Sequence, residues 1–225
     1  MLFPSPLDVA RSLGGTIANG RLPIAIMISL KRLAIGYVAS LVIGVVLGVL
    51  LARSEMLRGT LGLLLTGLQA LPSICWLPLA LLWFGLSESA IFFVVLMGSV
   101  LSISTATEAG VRNVSPMYVK AARSMGARGF TLYRTVILPA ALPQMVTGAR
   151  LGWSFAWRSL MAAELLFVSG GLGQMLTMGR ELHDMPLVLA VMVVIVVLGL
   201  AVERLAFGRV DTALRLRWGL TANAI

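Results

Sequence analysis

Arg150, Arg158 and Glu164 stand in a stretch that is otherwise small, apolar or aromatic, ARLGWSFAWRSLMAAELL at residues 149–166. A charge at bilayer depth is costly, so such groups face a bundle interior or a water-filled cavity, where they can handle an ion or a charged solute. Read as a helix from Ala141, the spacing sets Arg150 roughly 13 Å along and Arg158 about 25 Å along. Arg150 can then snorkel to one boundary, while Arg158 and Glu164 lie toward the other. Two roles fit Arg158 beside Trp157: a structural partner for a carbonyl or for Glu164, or a cation in a pathway for anions. Glu164 suits packing or gating better than solute contact. Gln69, Pro72 and Pro78 interrupt a second apolar stretch, LQALPSICWLPL at residues 68–79. A proline inside a helix removes a hydrogen bond and kinks it. At membrane depth the freed carbonyls meet neighbouring helices or line a cavity, so Gln69 and Pro72 mark a structural kink or a bent pathway wall.

Other chemistry is excluded by residue type. A phosphate-cradling Gly-x-x-x-x-Gly-Lys-Ser/Thr loop needs a lysine followed by a hydroxyl. The two lysines precede Arg32 and Ala121, so an ATP-driven process would need its nucleotide site on another polypeptide. His183, in RELHDMP, is the single histidine, and Cys75 the single cysteine. Neither a zinc motif, a disulfide framework nor a nucleophile pair can be assembled from them. The sequence therefore predicts no catalytic residues, no metal and no cofactor.

The elements that must position these residues are membrane helices. Of 225 residues 59% are hydrophobic and 12% charged, with mean hydropathy +0.96. A soluble domain is nearer half apolar and a quarter charged. About 20 apolar residues cross a bilayer core, and five segments qualify: 33–52, 61–86, 89–107, 141–168 and 186–203. Residues 1–32 form an N-terminal segment with a short amphipathic helix near Leu7–Ala18, 33–207 the membrane domain, and 208–225 a basic tail. The start lacks the basic-then-apolar order of a signal peptide. A net charge of +9 can indicate nucleic acid, but in a membrane protein it follows cytoplasmic loops. Arg53, Arg58, Arg112, Lys120, Arg123, Arg128, Arg134, Arg204, Arg209, Arg215 and Arg217 fall on one side of the five segments. Arg11, Arg21, Lys31, Arg32 and Arg180 fall on the other. The first side is expected to be cytoplasmic.

The link between the third and fourth segments, 108–140, is long for a helix connection and should carry structure or function of its own. Ser115 can cap a helix whose first residue is Pro116. Gly126 can close it in the left-handed conformation. A second short helix, 129–137, is expected to stop before Pro139. Charge alone would not require these boundary residues. With Ala121 and Ala122 allowing close approach, the link reads as a docking element for a cytoplasmic partner.

The stretch KAARSMGARGFTLYRTVILP, residues 120–139, resembles the EAA loop of inner-membrane permease subunits of binding-protein-dependent ABC importers. It matches at Ala121, Ala122, Gly126, Leu138 and Pro139, with Val136 in place of isoleucine, and departs at Lys120, where the family carries an acid. WLPLALLWFG from Trp76, FPSP from Phe3, LPAALPQMVTGARLG from Leu138 and AWRSLMAAELL from Ala156 are similar to the nitrate, sulfonate and taurine branch. The resemblance covers about residues 3 to 207. It implies the type I ABC importer permease fold, two cytoplasmic ATP-binding cassette subunits, an external solute-binding protein and a second permease copy. It also implies that the helix ending at Gly126 sits in a groove of the ATPase. Branch members carry one more membrane helix before the Phe-Pro-Ser-Pro stretch. Lys120 implies an acid in the ATPase groove.

The expectation is therefore an all-α, polytopic membrane protein of about five transmembrane helices with a cytoplasmic helix-turn-helix coupling loop. It is a non-catalytic permease subunit in a bacterial inner membrane, and a small anion is its solute. A secondary transporter, an intramembrane enzyme and a membrane anchor are the rivals. The first needs coupling acids deep in the membrane, the second a clustered nucleophile and base.

Overall fold

The computed structural model describes residues 4–166 and 170–217, with side chains as far as Thr212. Phe3 and the end of the basic tail lie outside the described residues. The described chain is all helical, without a strand. Helix α1 is Pro6–Ala18 and α2 is Arg21–Arg53. Helix α3 is Glu55–Gln69 and α4 Ser73–Phe84. Then come α5, Glu88–Arg112, and α6, Pro116–Ser124. Helix α7, Gly129–Leu132, passes through a widened turn, Tyr133–Ile137, into α8, Leu138–Leu166. Helix α9 is Leu172–Glu181, and α10, Met185–Val202, runs on through residues 203–207 into α11, Gly208–Arg217.

Among the described residues three helices are long and apolar enough to cross a membrane: α2, α5 and Met185–Thr212. The broken pair α3 and α4 makes a fourth if it counts as one span. The fourth expected segment is a helix of 29 residues, α8, but with Arg150, Arg158 and Glu164 it is not apolar enough to join them.

Prolines act differently from the sequence expectation. The second segment is not one kinked helix: the chain leaves helical dihedrals at Pro72, with φ −54° and ψ 139°. Pro78 falls where the 3-10 turn Ser73–Trp76 gives way to the α-helical part of α4, Leu77–Phe84, and so sits in the first turn of that part, where an amide hydrogen has no partner to lose. Pro139 does not end the helix before it. In the widened turn the Leu138 N–H donates to the Tyr133 carbonyl, five residues back, and the ladder takes up the missing donor without a break.

The chain forms two compact units, Met1–Val38 with Pro72–Gly98 and Phe155–Leu205, and Ala39–Leu71 with Ser99–Ser154 and Ala206–Ile225. In the first, Leu22 and Ala25 of α2 pack with Leu172 of α9 and Leu187 and Val191 of α10. In the second, Val111, Ala122, Leu132, Ile137 and Ala141 form the core beneath the loop. Helices α2 and α5 approach closely within each unit. A Cβ on Gly36 would lie 2.8 Å from Val95 in the first. In the second, one on Gly44 would lie 2.7 Å from Ile103, and one on Gly48 2.5 Å from the Ser104 carbonyl. The Gly-x-x-x-Gly pair is thus a helix contact, the use such spacing has in membranes.

Candidate functional site

In the first unit a buried polar knot forms around Glu164, whose exposure is 0%. The Ser29 hydroxyl donates to its carboxylate at 2.7 Å, the Arg32 guanidinium at 3.2 Å and the Gly173 N–H at 3.1 Å. The Leu172 N–H donates to Ser29 Oγ at 2.9 Å. Helix α9 has no side-chain cap of its own at Gly171. Its first amides are instead met by Ser29 of α2 and Glu164 of α8, and a carboxylate there also complements the helix dipole. Gly173 permits this approach: a Cβ would fall 2.5 Å from Glu164 Cβ. Arg32 also holds Glu88, at the start of α5, with its Nε 3.0 Å from Oε2 and Nη2 on Oε1. Two carboxylates thus share one nearly buried guanidinium, and each partner's charge is compensated as burial demands.

The candidate pathway residues are divided between the two units. Glu164, Trp157, Arg158 and Pro72 belong to the first unit and Gln69 to the second. The guanidinium that meets Glu164 is Arg32, not Arg158. Arg158 is exposed, with its charge 4.8 Å from the Phe155 ring centre. Trp157 lies over Gly199, where a Cβ would be 3.4 Å from the indole nitrogen. Gln69 donates to Ser102 Oγ at 3.1 Å, and Pro72 lies in the break between α3 and α4. Sequence reading missed Ser29, Arg32 and Glu88 because the first two were counted within a mixed N-terminal segment. Two polar residues three apart in a 33-residue apolar helix were the available signal.

The link 108–140, expected to dock a partner, lies in the second unit. Ser115 Oγ accepts from the Met117 N–H at 3.4 Å and Pro116 opens α6. The helix closes with the Gly126 N–H donating to the Arg123 carbonyl and the Ala127 N–H to that of Ala122. Gly126 has φ +88°, which an L side chain rarely adopts. Ala122 is buried in this chain's own core, so it anchors α6 and is not offered to a partner. Val136, Leu138 and Pro139 are partly buried, the first two packed against the same core. The outward surface carries Lys120, Ala121 and Arg123 with exposed Met117, Tyr118, Met125 and Phe130. Exposed apolar side chains and basic groups thus occur together on this helix and the turn after it. Beneath it Arg53 stacks on Tyr133 at 5.5 Å.

Comparison with known proteins places this architecture. The chain matches the family described as binding-protein-dependent transport system inner membrane component over residues 41–212. A Brucella melitensis protein named as a probable ABC transporter permease is 32% identical over 205 residues, 91% of this chain and 83% of that protein. The taurine transport system permease protein TauC of Escherichia coli is 31% identical over 175 residues, 78% of this chain and 64% of TauC. The nitrate import permease protein NrtB of a Synechocystis strain is 30% identical over 171 residues, 76% and 62% of the two chains. Among solved structures, an inward-facing form of the MetNI methionine ABC transporter superposes with a TM-score of 0.74 at 20% identity, covering 95% of this chain and 99% of that one. An all-helical chain with this loop, these spans and these relatives belongs to the family of inner-membrane components of binding-protein-dependent transport systems, as a multi-pass permease subunit.

Proposed function

We propose that this chain pairs with a second copy to form the pathway of an ATP-driven importer in a bacterial inner membrane, and that it has no catalytic activity itself. An external binding protein delivers the solute, a small anion of the sulfonate, taurine or nitrate class; relatives named for taurine, aliphatic sulfonates and nitrate support that class. Helix α6, with Lys120, Ala121 and the Gly126 turn, seats in a groove of the cytoplasmic ATPase. The side bearing Lys120 and Arg134 faces the cytoplasm. Arg158, beside Trp157, supplies a cation to the pathway, with Gln69 and Pro72 on its wall. Glu164 supports this arrangement from within the fold and does not meet solute.

The observation that carries the reading is the exposed, capped α6 closed by a left-handed glycine on a member of this family. The test is co-purification from detergent-extracted membranes with the ATPase encoded beside it, as wild type and as Gly126→Arg. The wild type retains the ATPase and the variant loses it while staying monodisperse. Failure of the wild-type chain to retain a folded ATPase would overturn the reading in favour of a transporter with another energy source.

A further inference from the structure

Helix α9 is fixed at both ends. Its first amides are held by Ser29 and Glu164. At its last turn the Asp184 N–H donates to the Gly179 carbonyl at 2.8 Å, and His183 takes φ 56°. That is the left-handed region, which histidine enters more readily than most residues. Gly179 is packed so closely on Val188 that a Cβ would fall 2.8 Å from it. Between α9, the start of α10 and the start of α1 lies a cavity of about 920 Å³, within the range of small-molecule sites. Leu176, Val188 and Met192 give it apolar walls, while Arg180 and His183 stand among its lining residues. Both side chains are exposed, and Arg180 makes no ion pair among the described residues. The one lining carboxylate, Asp8, is engaged by the Ser5 N–H at 3.1 Å and by the Ser5 hydroxyl.

We propose that this cavity is a binding site for a short-chain organic anion, with the acid group on Arg180 and His183 and the alkyl body against Leu176, Val188 and Met192. A guanidinium offers two parallel donors to a sulfonate or carboxylate. The apolar walls select an organic anion over an inorganic one. In the orientation set by the positive charges, the last turn of α9 with Arg180 and the following turn with His183 are external. The site therefore holds an arriving solute before it reaches the pathway. This role rests on the permease reading above, whereas the binding itself does not.

His183 is the sole histidine, so in the full chain in nanodiscs its labelled imidazole gives one assignable magnetic resonance signal. Hexane-1-sulfonate is expected to shift that signal saturably. Arg180→Gln should weaken binding at least tenfold, and Asp8→Asn, which removes the neighbouring negative charge, should tighten it. Arg180 is exposed, so the glutamine variant keeps its fold, checked by unchanged thermal unfolding. An equal response to hexan-1-ol overturns the anion assignment. A silent signal with hexane-1-sulfonate overturns the site altogether, and if the ATPase still co-purifies, the permease reading stands without it.

Discussion

Glu164 and Glu88 share Arg32, yet their substitution should cost very different amounts. The Glu164 side chain is wholly buried, whereas that of Glu88 is 59% exposed. Glu164→Ala takes the buried acceptor from Ser29, Arg32 and the Gly173 N–H and leaves Arg32 only the exposed Glu88, and it should cost about 3–5 kcal/mol. Glu164→Gln keeps an acceptor for Ser29 and Gly173 and should cost about 1–3 kcal/mol. Glu88→Gln loses a water-screened pair, and about 1 kcal/mol or less is expected. Thermal unfolding of the purified variants should rank them in that order, and equal losses for Glu88→Gln and Glu164→Ala would refute the buried lock. The glycines sharpen the same test. An alanine Cβ at position 173 meets Glu164 and the backbone around Leu165, so Gly173→Ala should cost about 1–3 kcal/mol through overpacking. Gly67 has nothing within 4 Å of its Cβ position and is helical. Gly67→Ala should leave stability unchanged or raise it by about 0.4–1 kcal/mol.

At the scale of elements, α6 is the helix whose stability bears on coupling. It has nine residues, too few to hold together in water without its caps and its tertiary anchor. Ser115→Ala should therefore destabilise it by about 1 kcal/mol. Hydrogen exchange of the α6 amides should accelerate about fivefold while those of α5 stay unchanged, and ATPase retention should fall with it. Equal protection in mutant and wild type would mean that packing of Ala122 alone holds the helix. The boundaries of α6 were legible in the sequence because cap chemistry is local: Ser115, Pro116 and Gly126 each act within one turn of themselves. Pro139 and Pro78 misled for the complementary reason. A proline disturbs a helix by the lost amide bond and by the clash of its ring with the carbonyl four residues back, and a first turn or a widened turn relieves both. The polar knot was not legible, because Arg32 finds Glu164 across 132 positions. No pattern within either helix announces that partner.

At the scale of the whole molecule, the orientation in the membrane decides which surfaces meet the ATPase and which meet the solute. Helix length cannot decide it. At 33 residues α2 is about 50 Å long, well beyond the roughly 30 Å of a bilayer core, so its ends are not pinned by thickness. Charge decides it, because short loops rich in Lys and Arg stay cytoplasmic. The α6 region and the tail hold most of the positive side, whereas the end of α9 and the turn after it hold Arg180 with Glu181 and Asp184. In a Cys75→Ser background, which removes the single and exposed native thiol, Ser124→Cys and Leu182→Cys place one exposed thiol on each side. A membrane-impermeant maleimide should label Leu182→Cys in right-side-out vesicles and Ser124→Cys only in inverted ones. The reverse pattern would put the docking helix outside the cell, where no ATPase could reach it. It would also turn the Arg180 cavity toward the cytoplasm. Labelling of both thiols from one side would be incompatible with an odd number of crossings between α6 and α9, and α8, the one long helix between them, would then not span the membrane.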